Sequence, residues 1–197
     1  MGKWAIIGIV LGFVFLILLC VKPLQGRQTV AAPQNATKKT PPPPMDVYRG
    51  LRDMALSTSR EKIGLPTAAS PTTPWRVVMD WGLDSGALAT VVAVADGNAS
   101  IYYGSGGGAL GGVGHESIRL AAMKAMKIAG ELQPQMRLTK DFPLPQRGGV
   151  IFYAVTDAGV FTASATEEEM RTHRSAFYKL GDAMQDVVTQ YRMIQAK

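Results

Sequence analysis

The residues best suited to chemistry lie in a glycine-rich loop and in the turn that follows it. Seven of the eleven residues from Gly104 to Gly114 are glycine. Glycine adopts positive φ readily and lets the backbone approach another group closely. A helical pattern begins directly after this loop, and the free amides at a helix start bind phosphate or carboxylate groups. The loop is therefore the first candidate binding site.

Within the loop, the segment Gly106–Gly111 matches the spelling G-x-G-x-x-G of dinucleotide-binding proteins. The context argues against that fold, because the preceding strand belongs to a hairpin and no Lys-Ser or Lys-Thr pair follows. We keep anion or nucleotide binding as an alternative to a crossover or partner-contact loop. The candidate ligand-binding residues are Ser105, Gly106, Gly108, Gly111, Gly114, His115 and Ser117.

Catalytic chemistry has a weaker basis. His115, Glu116 and Ser117 place an imidazole, a carboxylate and a hydroxyl together, but helix capping explains these residue types equally well. Nucleophilic catalysis also needs an orienting acid, and the chain has no G-x-S-x-G elbow. With two histidines far apart and Cys20 as the only cysteine, the sequence predicts no metal site and no cofactor. We expect a binding module rather than an enzyme.

Two carboxylates, Asp80 and Asp84, flank the end of a predicted strand. Paired carboxylates are able to act as acid and base. The turn from Gly82 to Gly86 requires residues such as aspartate in any case. We therefore interpret both residues as structural.

The apolar pattern predicts an α+β (mixed α/β) fold with the element order α-βββ-α-ββ-α. Strands are expected at residues 75–81, 87–95, 99–103, 150–156 and 160–165. Helices are expected at residues 45–57, from residue 115 to residue 132, and from residue 166 onward, the last with a bend near Arg174–Ser175 or at Gly181. These elements close as a five-stranded, mainly antiparallel sheet packed by helices. The element order resembles that of the profilin, longin and roadblock class of small domains.

An apolar segment precedes this domain. Trp4–Val21 contains no charged residue, and as a helix it is about 27 Å long, close to the thickness of the bilayer hydrocarbon. We interpret residues 1–22 as an uncleaved, single-pass signal anchor, with a cleaved signal peptide as the competing interpretation. Residues 23–44 are a Pro-rich linker in which Pro41–Pro44 favours polyproline II. Residues 45–197 form the predicted α+β domain.

The distribution of charge separates these parts. The net charge is +6, and the five basic residues before Met45, with no acid among them, account for +5. From Met45 onward 16 basic residues oppose 15 acidic ones, which leaves +1. The basic excess suits an anionic lipid surface, and the domain has no net field to attract nucleic acid. The Lys and Arg residues after the anchor favour a cytoplasmic domain, although many short-tailed anchors place their domain outside.

Taken together, these patterns predict a membrane protein held in the lipid bilayer by Trp4–Val21. Its domain is expected to act as a protein-binding or assembly module, in contact with a partner protein or with a second copy of itself. The alternative is an anion- or nucleotide-binding domain, with hydrolysis as an added activity, that uses the Gly104–Gly114 loop.

Overall fold

The computed structural model describes residues 41–196. These residues form three layers, in which an antiparallel sheet lies between one helix on one face and two helices on the other. The strands are β1 (Arg76–Gly82), β2 (Leu88–Val94), β3 (Ala99–Tyr103), β4 (Gly108–Ala109), β5 (Arg137–Thr139), β6 (Gly149–Thr156) and β7 (Gly159–Thr166). The helices are α1 (Pro44–Ser57), α2 (Glu116–Leu132), α3 (Glu167–Arg171) and α4 (Tyr178–Gln195), with short 3₁₀ turns at Glu61–Ile63, Gly112–Gly114 and Gln133–Gln135.

The strand order in the sheet is β4-β3-β2-β1-β6-β7-β5. The α+β fold with an antiparallel sheet is confirmed, but the predicted number of five strands is wrong. The two additional strands, β4 and β5, lie at the two edges of the sheet and contain two and three residues. Such short segments show no alternating pattern, and each pairs because its longer neighbour has free backbone groups to bond.

Alternation along the central strand β1 directs its side chains into two separate cores. Val77 and Met79 pack in the larger core, with α2 and α4. Val78 packs in the smaller core, with Tyr48 of α1 and Tyr153 of β6. Since β1 and β2 are covered on both faces, the nearly continuous apolar run of β2 is the pattern expected of a buried strand.

Small side chains bring α2 close to the sheet. Ala122, Ala125 and Ala129 are fully buried in the larger core. Ile118 at the start of α2 is also fully buried, and Tyr191 of α4 donates a hydrogen bond to the carbonyl of Ala99 at 2.7 Å. The inner face of α2 is thus fully used in packing against the sheet and α4.

The last helical region is divided into α3 and α4, where the sequence predicts one long helix with a bend near Arg174–Ser175 or at Gly181. The expected capping box is present, because Thr166 and Glu169 each accept a hydrogen bond from the other's backbone N–H. α3 nevertheless ends at Arg171, and α4 begins at Tyr178.

The break between α3 and α4 is a helix-ending turn. His173 has a positive φ of 56°, and its N–H donates to the carbonyl of Met170 at 3.1 Å. The N–H of Arg174 donates to the carbonyl of Glu169 at 2.9 Å. This pair of bonds normally ends a helix at glycine, and a histidine in that place carries no simple sequence signal for helix termination.

Among residues 41–196, no helix has the length and apolar character needed to cross a bilayer. The predicted anchor at Trp4–Val21 lies outside the described residues, as does the linker up to residue 40, and both stay predictions. The described end of the linker, at residues 41–43, is exposed and non-helical, and Pro44 is already the first residue of α1.

Candidate functional site

The glycine-rich loop forms the sheet edge and the approach to α2. Ser105 and Gly106 lie in the tight turn between β3 and β4, where the N–H of Gly106 donates to the carbonyl of Tyr103 at 2.9 Å. Gly108 is in β4, and Gly111 precedes the 3₁₀ turn that contains Gly114. His115 is the N-cap of α2, and Ser117 lies in its first turn.

The seven candidate residues therefore follow one another along an edge and do not converge on a cavity. All are exposed except Gly106, which is half-buried. At the start of α2, no side chain caps the helix, and the carboxylate of Glu116 lies 3.8 Å from the guanidinium of Arg119. A carboxylate already lies near the first-turn amides, the position where an anion would bind. Ligand binding by these residues stays a prediction.

Steric contacts explain two of the loop glycines, Gly106 and Gly108. At Gly106, where φ is 98°, a Cβ atom would lie 3.1 Å from Cβ of Pro44, so the start of α1 lies directly over this turn. At Gly108, a Cβ atom would collide with the carbonyl oxygen of Ile101 in the paired strand. These two glycines thus allow the β3–β4 hairpin to form and the start of α1 to lie against it.

Exposed apolar side chains accumulate on the segment that runs from β4 into α2. Leu110 is 64% exposed, Val113 45%, Leu120 54% and Met123 46%. Leu120 and Met123 are three residues apart on α2 and so lie on the same side of the helix. We call these four residues the α2 surface.

A second feature is a cleft of about 620 Å³ between α3, α4 and the adjoining ends of β1 and β6, which we call the α4 cleft. Its apolar lining consists of Met79, Trp81, Val150 and Met170. Its polar lining consists of Glu167, Arg171, His173, Asp182, Gln185, Asp186 and Thr189, and Gly181 completes the wall. Gly181 leaves room for Met170, since a Cβ atom there would collide with the methionine Cε.

Acidic groups dominate the charge of the α4 cleft. Its one arginine, Arg171, is paired with Glu168, at 2.5 Å between Nη2 and Oε2. Asp186 accepts a hydrogen bond from Gln190 at 3.0 Å and lies 4.0 Å from the ammonium of Lys124.

The other two carboxylates of this cleft, those of Glu167 and Asp182, form no salt bridge within residues 41–196. The Oε2 atom of Glu167 and the Nε1 atom of Trp81 are buried and have no hydrogen-bond partner in that part of the chain. The cleft therefore has unneutralised negative charge, and two of its lining residues carry unpaired polar atoms that are closed to solvent.

A closed polar network lies on the opposite face of the sheet. The Nε and Nη2 atoms of Arg52 both lie 2.7 Å from Oδ2 of Asp80. The hydroxyl of Thr90 donates to Oδ1 of Asp80 at 2.6 Å, and the Tyr48 hydroxyl lies 2.9 Å from Oγ1 of Thr90. All four residues are at most 3% exposed. The network joins α1 to both central strands.

Further bonds extend this network to the loop before β6. Arg52 and the hydroxyl of Tyr153 each donate to the carbonyl of Pro143 at 3.0 Å. Burial raises the pKa of the Asp80 carboxyl, and the Arg52 guanidinium opposes that rise. Burial also raises the pKa of Tyr153 to about 12. Since its polar groups bond to one another, the network positions α1 on the sheet.

Comparisons with known proteins add no assignment: no family model, no characterised protein and no solved structure matches this chain. The similarity to the profilin, longin and roadblock class stays an expectation about element order. The function must be inferred from the geometry of the α2 surface and the α4 cleft.

Proposed function

We propose that this chain is a single-pass membrane protein whose α+β domain is a protein-binding module held near the bilayer. The observation that supports this proposal is the α2 surface. Isolated exposed apolar residues are normal on a soluble domain, whereas neighbouring ones are typical of a protein contact. Leu120 and Met123 are neighbours on one side of α2. Leu110, Val113, Leu120 and Met123 occur within one loop and the first two turns of one helix.

These side chains are not displaced members of the core. The inner face of α2 already packs through Ile118, Ala122 and Ala125, each fully buried. Charged residues border the exposed side, among them Lys124 and Lys127. An apolar centre with a polar rim is the ordinary composition of a protein interface.

The N-terminal sequence supports the membrane location. Trp4–Val21 has the length and composition of a span, and the segment before Met45 carries +5 of the net charge of +6. A tether restricts the domain to the membrane surface, which raises its effective concentration toward any partner in the same membrane. The Lys and Arg count favours the cytoplasmic side.

The size of the complex formed by the full-length protein tests this proposal. The protein is extracted in mild detergent, and its mass is measured by light scattering after size-exclusion chromatography. We expect a mass above that of one chain in its micelle, because the α2 surface is occupied by a partner or by a second copy. Leu120→Asp together with Met123→Asp should reduce the mass to that of one chain, since a buried carboxylate without a partner opposes association.

The matched control is Leu138→Asp. Leu138 is 58% exposed on the edge strand β5, so this change adds the same charge to a comparably exposed apolar site away from α2. The control should leave the mass unchanged. A single-chain mass for the unmodified protein, or equal masses for both variants, would contradict the proposal.

A further inference from the structure

We propose that the α4 cleft is a second, independent binding site that takes an organic cation: an ammonium or guanidinium group joined to an apolar body. The α2 surface is not part of this site, because none of its four residues lines the cleft. The shape and the charge of the cleft support the proposal.

The shape fits a small ligand. The volume of about 620 Å³ lies within the range of roughly 300–1,000 Å³ that is usual for ligand sites. Met79 and Trp81 come from the end of β1, and Val150 from the start of β6, so rigid strands form part of the wall. The half-buried side chains of Trp81 and Met170 provide an apolar surface for the body of the ligand.

The negative charge of the cleft favours a positively charged ligand. Glu167, Asp182 and Asp186 line the cleft, and its one arginine is neutralised by Glu168. A cation near these carboxylates gains charge-assisted hydrogen bonds. The indole of Trp81 also lines the cleft, and aromatic rings attract ammonium and guanidinium groups. An anion of the same shape would be repelled.

Binding of matched ligands to the full-length protein in detergent tests this inference. The cationic probes are tyramine, agmatine and acetyl-lysine amide, and the anionic control is 3-(4-hydroxyphenyl)propionate, which has the body of tyramine but a carboxylate. We expect at least one cation to raise the melting temperature in a concentration-dependent way, because a ligand that binds only the folded state stabilises it. The anion should produce no shift.

A variant of one cleft residue tests whether the cation binds in the cleft. Asp182→Asn removes one charge at an exposed position of α4, so the fold should be unaffected. We expect it to weaken cation binding by about tenfold, the loss of one charge-assisted bond at a partly exposed site. Glu131→Gln, which removes an exposed carboxylate of α2 outside the cleft, should leave the affinity unchanged.

The probes also separate two sources of the cation. Tighter binding of acetyl-lysine amide than of agmatine and tyramine indicates a lysine side chain of a protein, and the reverse order indicates a free amine. The inference fails if no cation shifts the melting temperature, if the anion binds as well as tyramine, or if Asp182→Asn and Glu131→Gln have equal affinities.

Discussion

Arg52 and Asp80 form an ion pair that is almost completely removed from water, with side chains 4% and 0% exposed. Two charges in the interior are tolerated only when each has its partner and its remaining hydrogen bonds. Arg52 meets this condition through Asp80 and the carbonyl of Pro143. The pair therefore determines where α1 lies on the sheet, and it makes that position sensitive to the loss of either partner.

Replacement of Arg52 by methionine should strongly destabilise the protein. The change leaves the Asp80 carboxylate buried without its counter-ion, which costs about 3–5 kcal/mol. Urea unfolding of the full-length protein in detergent, followed by tryptophan fluorescence, measures the free energy of unfolding. Arg49→Met is the control, because Arg49 is exposed on the same helix. A loss below about 1 kcal/mol for Arg52→Met would show that the pair does not hold α1.

Tyr153 should make stability fall at alkaline pH. Burial raises its pKa to about 12 in the folded protein, whereas an unfolded tyrosine has a pKa near 10. Between these values the unfolded chain releases the proton and the folded chain keeps it, so the free energy of unfolding decreases as pH rises. The full contribution of a two-unit shift is about 3 kcal/mol.

The measurement is the free energy of unfolding at several pH values from 9 to 12 for the unmodified protein and for Tyr153→Phe. The variant has no proton to lose at this position, so its curve should decline less steeply. Tyr178→Phe, at a half-buried position outside this core, is the matched control. Parallel curves for the unmodified protein and Tyr153→Phe would contradict the assignment.

Among the elements, the hairpin of β3 and β4 depends on glycine for steric reasons. Gly108→Ala should destabilise the protein by about 1–3 kcal/mol, because its Cβ atom would collide with the carbonyl oxygen of Ile101 and its φ of 156° is unfavourable for alanine. Gly114→Ala is the control, since a Cβ atom there meets nothing within 4 Å. Thermal unfolding measures both. Equal stability of the two variants would remove the structural explanation for Gly108.

Elements with a long periodic pattern could be predicted from the sequence. β1 alternates, β2 is a continuous apolar run, and α2 repeats apolar residues at spacings of three and four. β4 and β5 could not be predicted from the sequence, because their pairing depends on the neighbouring strands and not on their own residues. The division of α3 from α4 depends on His173 at positive φ, which a pattern of residue types does not encode.

Sites assembled from distant parts of the chain could not be predicted from the sequence either. The α4 cleft brings Trp81 together with Asp182, about a hundred residues later. The interpretation of Asp80 as a turn residue did not include its partner, which is Arg52 of α1. One signal was present: Asp80 shares an alternating strand face with Val78, and a carboxylate on a core-facing position needs a buried cation.

At the scale of the whole molecule, we propose that the N-terminal anchor determines where the domain acts. The full-length protein should stay with the membrane fraction after carbonate extraction and enter solution only with detergent, because eighteen uncharged residues partition into the bilayer. Deletion of residues 1–22 should release the domain into the soluble fraction. Release of the full-length protein into the soluble fraction by carbonate would contradict an integral anchor.

The most direct measurement is photo-crosslinking from the α2 surface in intact membranes. A photoreactive amino acid replaces Leu120 in the full-length protein, and a second form carries it at Leu138 on β5 as the matched exposed control. We expect irradiation to give a discrete, heavier product from position 120 and not from position 138. A product of twice the mass of the chain identifies self-association, and any other mass identifies a partner protein. No product from position 120 beyond that from position 138 would contradict the account of this domain as a protein-binding module.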